Sequence, residues 1–268
     1  METRIFDINM VWSSLPALLE YLDVTLLVAV SSVMLGSGLG LALAWGRLSS
    51  IRLLEWASRL YVYIMRCTPS IVLLFIVFYG LPELVNAVFS YHIDDMPRAF
   101  FAILTFTLLF GAYISEIFRA AYLAVPKGQF EAAVSIGMSS WSAFLHVMLP
   151  QAALIALPNF GNSVISLLKE GALAYTIGLI DMLGSGTLII AQNFGAYGIE
   201  VYLACMLIYW GLTSALEQGF RLLEQHLGKG RNSMQPVENK TYFWQKWLKQ
   251  NKGEEEDGTG YRVHAGNI

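Results

Sequence analysis

The sequence predicts an all-α polytopic membrane protein with about five transmembrane helices, its N-terminus outside and its C-terminus in the cytoplasm. Three observations predict it. Of the 268 residues, 56% are apolar and only 14% are charged, whereas soluble domains are about 45–50% apolar and about 25% charged. A core for this length of chain does not need that excess, so lipid is the solvent for much of it. Apolar runs long enough to cross about 30 Å of hydrocarbon recur along the chain. Finally, Lys and Arg are shared unevenly among the connections between those runs.

Before the first run, "WSSLPALLEYLD" has two readings, an amphipathic helix on the outer face or an extension of the first span. Arg4 is the only early cation, and no apolar stretch with a small-residue cleavage site follows it, so the first run is expected to stay as an anchor. That run is Val24 to Trp45, 22 residues without a charge. The second span centres on Ile71 to Leu81 and is expected to start near Leu60, with Arg66 and Pro69 inside it or at its edge. The third is Ala99 to Phe118, the fourth Ala152 to Gly171, and the fifth Val201 to Leu216. Several are short or polar for lone helices, which points to a bundle whose members shield one another.

Arg47, Arg52 and Arg59 put the first connection in the cytoplasm. The second, with Asp94, Asp95 and the single Arg98, goes outside, and the third, with Arg119 and Lys127, inside. The fourth, Asp181 to Glu200, has neither Lys nor Arg and goes outside, and the chain after Leu216 carries eight and goes inside. A sixth span in Gly171 to Ile190 breaks this alternation and is not expected. The chain therefore divides into an external segment 1–23, a membrane domain 24–227 with a cytoplasmic loop 127–150, and a polar tail 228–268. In the tail, Trp244, Trp247 and Lys249 either sit at the membrane interface or belong to a loosely ordered segment.

Much familiar chemistry is missing. There is no glycine-rich phosphate loop, no H-E-x-x-H and no G-x-S-x-G. His92, His146, His226 and His264 are scattered, so no catalytic cluster forms at one depth. Cys67 and Cys205 lie in apolar runs and read as small buried hydrophobes, with no metal spacing. Any energy this chain uses must come from elsewhere.

The loop "QFEAAVSIGMSSWSAFLHVMLPQ" interrupts the apolar pattern. Glu131 suits a first helical turn, Ala132 and Ala133 form helix without bulk, and Gly137 permits a sharp turn. A second helix follows Met138, and Pro150 is expected to mark a boundary before the fourth span. On physics alone this is either a plain connector or a small-faced handle for another protein.

The spacing Glu131-Ala132-Ala133, Gly137, Val147, Leu149-Pro150 resembles the EAA loop of permease subunits in bacterial ABC importers, with Val147 where that family usually has Ile. "YVYIMRCTPSIVLLFIVFYGLP" resembles the family's Arg-Gly-Thr-Pro segment, with Cys67 in place of Gly, and "LLKEGALAYTIGLIDML" is similar to the polar amino-acid branch. The resemblance covers roughly residues 18–227 and stops short of the tail. It implies ATPase coupling through Glu131, Ala132, Ala133, Gly137 and Met138. It implies no cofactor and no metal on this chain, with ATP and Mg bound by the partner ATP-binding subunits. It implies a second permease copy or a sibling permease, an extracytoplasmic solute-binding protein, a place in the bacterial inner membrane, and no nucleic acid. The cargo it implies is a polar amino acid, and "GLIDMLGSGTLIIAQNFGAYGIE" looks most like permeases for L-cystine.

In span four, Asn159, Asn162, Ser163, Ser166 and Glu170 fall within about 60° on a helical wheel, with Lys169 about 80° away. A polar face this deep either lines the translocation route or forms a hydrogen-bonded seam between helices. Glu116 and Arg119 read as a structural pair or a gate. Arg66 snorkels to headgroups or touches the ATPase. An ion-coupled secondary transporter or channel is the rival reading, and it predicts inverted repeats that this chain lacks. A membrane-embedded enzyme is the other, disfavoured by the scattered histidines.

Overall fold

A computed structural model describes residues 6–228. Every regular element among them is helical. The elements are α1 (Ile8–Leu19), α2 (Leu22–Leu48), α3 (Arg52–Cys67), α4 (Ser70–Phe75), α5 (Leu81–Phe89), α6 (Arg98–Ala124), α7 (Lys127–Ser135), α8 (Ser140–Ala143), α9 (Leu149–Gly171), α10 (Met182–Gln192) and α11 (Gly198–Gly228). The described residues up to Gln225 form one compact unit. The sequence readings for the tail from residue 229 onward lie outside the described residues.

Five helices are long and apolar enough to cross a membrane: Leu22–Leu48, Ser70–Phe89, Arg98–Ala124, Ser140–Ile177 and Gly198–Gly228. All five expected spans are present. The region expected not to hold a sixth has a short 3-10 turn (Ala172–Ile177) and the 11-residue α10, about 16 Å long at 1.5 Å per residue, too short to cross.

The expectation for the second span needs correcting at its start. The helix does not run from Leu60 through Pro69. Thr68, held extended by the proline after it (φ −93°, ψ 127°), ends α3, and the span begins at Ser70. Arg66 therefore lies outside it, and Cys67 is exposed while Cys205 is buried. Pro150 also differs from expectation. It marks no boundary, because a five-residue π-turn, Phe144–Met148, precedes it and helix continues into α9. Leu81-Pro82 repeats the device after the π-turn Ile76–Gly80. A widened turn makes room for a proline ring that would otherwise strike the carbonyl four residues back. The segment before span one is a helix of its own, capped by the Asp7 carboxylate on Asn9 N–H and broken from α2 at Glu20 and Tyr21.

α6 is the hub. Its most apolar window is 61% buried, against 22% for each of the other four spans. Phe101, Phe106, Leu109, Phe110 and Ile114 pack there with Val28, Leu74, Val77, Leu167 and Ile177. α2 reaches α6 through small residues one turn apart. Ser32, Gly36, Gly40 and Ala44 are buried, and a Cβ on Gly36 would lie 2.9 Å from Phe110. Without a hydrophobic drive between helices in lipid, such close backbone approach is what holds them. The carboxylate of Glu116 accepts from Arg47 of α2 and from Arg119, so the expected α6 pair is a three-residue clamp between helices. Large exposed apolar side chains such as Met34 (71%) and Trp45 (69%) fit a lipid-facing surface.

α3 is fastened to α6 by the Tyr61 hydroxyl, which donates to the Leu108 carbonyl at 3.0 Å. Tyr61→Phe is expected to cost about 1 kcal/mol of stability, read as a lower thermal midpoint of the solubilised protein. An unchanged midpoint would mean that bond contributes nothing.

Candidate functional site

Two features gather the residues singled out by the sequence. The first is the turn after α7. Val125-Pro126 ends α6, and Pro126 sits at the N-cap of α7, where a missing N–H is harmless. α7 closes on Gly137 in a left-handed conformation, φ +94°. Gly137 N–H donates to the Val134 carbonyl (2.9 Å) and Met138 N–H to the Ala133 carbonyl (3.2 Å). This pair of bonds is the Schellman motif, with Ala133 and Met138 as its apolar partners. The spacing of Ala133, Gly137 and Met138 is thus the spacing of a helix stop. Ser139 then caps α8 by accepting from Ser142 N–H at 3.2 Å, so the reversal is rigid on both sides.

The faces of α7 divide clearly. Ala133 is turned inward, 5% exposed. An apolar base is formed by Val125, Met148 and Ala152, with Phe130 and Phe144 around them. Glu131, Ala132 and Gly137 are exposed, and Met138 is half-buried. Glu131 and Lys127 line a cleft of about 240 Å³ behind the helix with Tyr122, Phe130 and Met148. Sequence reasoning missed Ile136, which is 82% exposed at the tip of the turn. Its signal was present, an aliphatic residue immediately before a helix-stopping glycine in a polar loop.

The second feature is a cleft of about 390 Å³ between α6 and α9. Asn159, Asn162, Ser163, Ser166 and Glu170 line one side, and Phe110, Tyr113 and Ile117 the other. The polar stripe of span four therefore faces one space. Lys169 does not join it and is exposed away from the lining. Ser163 spends its hydroxyl on its own helix, donating to the Asn159 carbonyl at 3.0 Å. Glu170 does not: Ser70 Oγ donates to its Oε2 at 2.9 Å. Ser70 opens α4, where a carboxylate is favoured by the unpaired N–H groups and the helix dipole. The guanidinium of Arg66 lies 5.8 Å from the centroid of the Tyr113 ring, within cation–π range. The cleft wall thus has a carboxylate at one end and a cation behind its aromatic side. Ser70, Tyr113 and this placement of Arg66 were not foreseen.

Residues 36–229 match the family model described as "Binding-protein-dependent transport system inner membrane component". The chain belongs to this family. It is therefore a multi-pass inner-membrane transport subunit. It is 40% identical over 235 residues to the L-cystine transport system permease protein TcyL of Bacillus subtilis (strain 168), covering 87% of this chain and 97% of that protein. It is 35% identical over 211 residues to the probable amino-acid ABC transporter permease protein PatM of Vibrio harveyi, covering 79% and 92%. Among solved structures, an amino acid ABC transporter crystallised with histidines superposes with a TM-score of 0.73 at 29% identity, covering 83% of this chain and all of that one. The MetNI methionine ABC transporter, at 19% identity and a TM-score of 0.60 over 83% of this chain and 99% of that one, shares the fold.

Proposed function

We propose that this permease subunit carries a polar amino acid, with L-cystine as the first candidate, through a pathway opened and closed by a separate ATPase. The carrying observation is the α7 turn, a helix stopped by a Schellman motif that presents Ile136 to solvent on a buried apolar base. Such a turn can be pushed without deforming, which a flexible connector cannot. ATP and Mg are bound by the partner, and this chain itself catalyses nothing. The turn faces the cytoplasm, with the N-terminus outside, as the arginine-rich connections favour. A second copy or a sibling permease completes the pathway, and a solute-binding protein delivers the cargo from outside. Closure of the ATPases biases the bundle between inward and outward states.

The α6–α9 cleft is the pathway wall in this reading. Glu170 offers a carboxylate to the ammonium group of an amino acid, and Asn159, Asn162 and Ser166 offer neutral hydrogen bonds. The L-cystine assignment rests on the 40% identity to TcyL. Reconstitution with its ATPase and binding protein in liposomes tests the whole reading: ATP-dependent uptake of labelled cystine is expected, competed by no sugar or peptide. Uptake that survives without the ATPase would refute it. Glu170→Gln keeps an acceptor for Ser70 yet removes the charge. A charged hydrogen bond is worth about 1.5–3 kcal/mol, so the half-saturating substrate concentration should rise roughly tenfold or more. An unchanged value would remove Glu170 from the pathway.

A further inference from the structure

Two short helices lie where the first and fifth spans begin, and no step above uses them. Successive spans alternate in direction, so α2 and α11 start at one membrane face. α1 precedes α2 there. Its N-cap, Asp7, donates its N–H to Glu200 Oε1 in the first turn of α11, at 3.2 Å. α10 leads into α11 through residues 193–197. Val11 and Leu18 of α1 pack with Met182 of α10 and with Ala204 and Cys205 of α11, so the three form one joint. α1 and α10 are 12 and 11 residues long. At about 16–18 Å neither can cross a bilayer.

α1 has three faces. Val11, Ser14 and Leu18 are buried against the protein. Ile8, Trp12 and Leu19 form an exposed apolar ridge, within about 40° on a helical wheel. Asn9 and Ser13, with Glu20 at the cap, form an exposed polar edge about 60–100° from Trp12 on the other side. The end of α10 presents apolar surface in a strained form. Gly195 N–H donates to the Ile190 carbonyl (2.9 Å) and Phe194 N–H to the Ala191 carbonyl (3.0 Å), the bond pair of a Schellman stop. The residue that turns left-handed in such a stop is usually glycine. Here it is Phe194, with φ +55°. An L side chain strains the backbone there, and this one is 100% exposed, so no contact among the described residues repays it. Just beyond, Ile199, Tyr202 and Met206 stand outward from α11 at i, i+3 and i+7 and continue the apolar surface along a span.

No Asp, Glu, Lys, Arg or His lies in Ile8–Leu19, in Met182–Gln192 or in the turn 193–197. That surface does not suit anionic headgroups, which basic side chains would hold. Nor does it suit a protein that binds and leaves, because such interfaces are about as polar as the rest of a protein surface. It suits a cover that is always present. We propose that α1 and the α10–α11 turn form an uncharged wedge seated at the membrane–water interface, with Trp12 and Phe194 inserted among the lipids and Asn9 and Ser13 facing water. The partner is the bilayer itself, recognised by its apolar content and not by its charge. An indole ring suits that depth, with an apolar body and a polar edge. The wedge holds the α1–α10–α11 joint at the membrane surface, and lipid contact gives the strained Phe194 its return.

Nitroxide labels on single cysteines test it, with the full-length chain in nanodiscs of neutral phosphatidylcholine. Cys67→Ser and Cys205→Ala remove the native thiols. Oxygen concentrates in lipid and a nickel chelate in water, so the ratio of their collision rates reads the surroundings of each label. Trp12→Cys and Ser13→Cys are neighbours in sequence on different faces, and so are Ile8→Cys and Asn9→Cys. The oxygen-to-nickel ratio should be several-fold higher at Trp12 than at Ser13 and at Ile8 than at Asn9, and Phe194→Cys should match Trp12→Cys. The contrast should survive anionic lipid and high salt, since no charged side chain takes part. Equal ratios within the pairs, or a Phe194 label as open to nickel as that at Ser13, would overturn the proposal. Labels at Trp12 and Phe194 closed to both reagents would mean that protein covers this face. A contrast that appears only when a solute-binding protein is added would mean that the face docks that protein. Either result contradicts the wedge. All five positions are exposed, so labelling leaves the core intact. Should one pair fail to fold, the other decides.

Discussion

Gly137→Asp should abolish ATP-driven uptake while the chain still reaches the membrane. Two effects act at this position, and a companion variant separates them. Gly137 has φ +94°, where an L-residue is strained, by about 1–2 kcal/mol for most residues. The space around it is open, with nothing within 4 Å of a Cβ, so the side chain meets no clash. Asp then places an unpaired charge beside Ile136, on the surface proposed to meet the ATPase. Burying that charge at an interface costs several kcal/mol unless the partner offers a cation. Asn has nearly the same shape, tolerates the left-handed region and carries no charge. Gly137→Asn should therefore retain most uptake where Gly137→Asp retains none. Membrane levels of both, measured beside vesicle uptake, should match the parent. Equal uptake by the two variants would show that the turn matters only for folding.

The second large effect lies in the α2–α6 seam. A Cβ on Gly40 would stand 3.0 Å from Ile114 Cγ2 and 3.1 Å from the Gly111 carbonyl oxygen. The carbonyl belongs to a helix backbone and cannot step aside. Gly38, two residues earlier on the same helix, has nothing within 4 Å. Gly40→Val should destabilise by about 1–3 kcal/mol through overpacking. Gly38→Val should be neutral or slightly stabilising, since glycine is the poorer helix former. Thermal midpoints of the two solubilised variants make the comparison. Equal midpoints would mean that the small-residue stripe does not bring these helices together.

What the sequence showed and what it hid follow from range. A helix stop is local, so Gly137 by itself marked the turn, and the bonds found there, from Gly137 and Met138 to Val134 and Ala133, supply its reason. The polar stripe of span four was also local, a period along one helix, and five of its six residues share the cleft. The partners across space were not legible. Ser70 meets Glu170 from 100 residues away, and Arg47 meets Glu116 from 69. Helical periodicity describes one element at a time and carries no word about which element it will face. The prolines misled for a related reason. A Leu-Pro pair ends a helix by default, yet at Pro82 and Pro150 a π-turn absorbs the ring and the helix goes on. At Pro69 the residue before it did become extended, and the second span began later than apolarity alone predicted.

The cleft and the turn also explain why two sites so different in chemistry sit on connected elements. Ser140–Ile177 is one long helical run that starts at the turn and ends beside the cleft carboxylate Glu170. In the proposed coupling, force applied near Ile136 would enter that run at its first residue. The π-turn at Phe144–Met148 lies between the two, and the apolar cluster of Val125, Met148 and Ala152 includes the residue that ends α6.

The most direct test photo-cross-links the intact, transport-competent complex. A benzophenone reagent attached through Ile136→Cys in the Cys67→Ser background should join this chain to the ATP-binding subunit. The same reagent on Met34→Cys, a side chain 71% exposed on an apolar span, should not. If the tip of the α7 turn reaches no ATPase while uptake proceeds, the account of how energy enters this subunit is wrong.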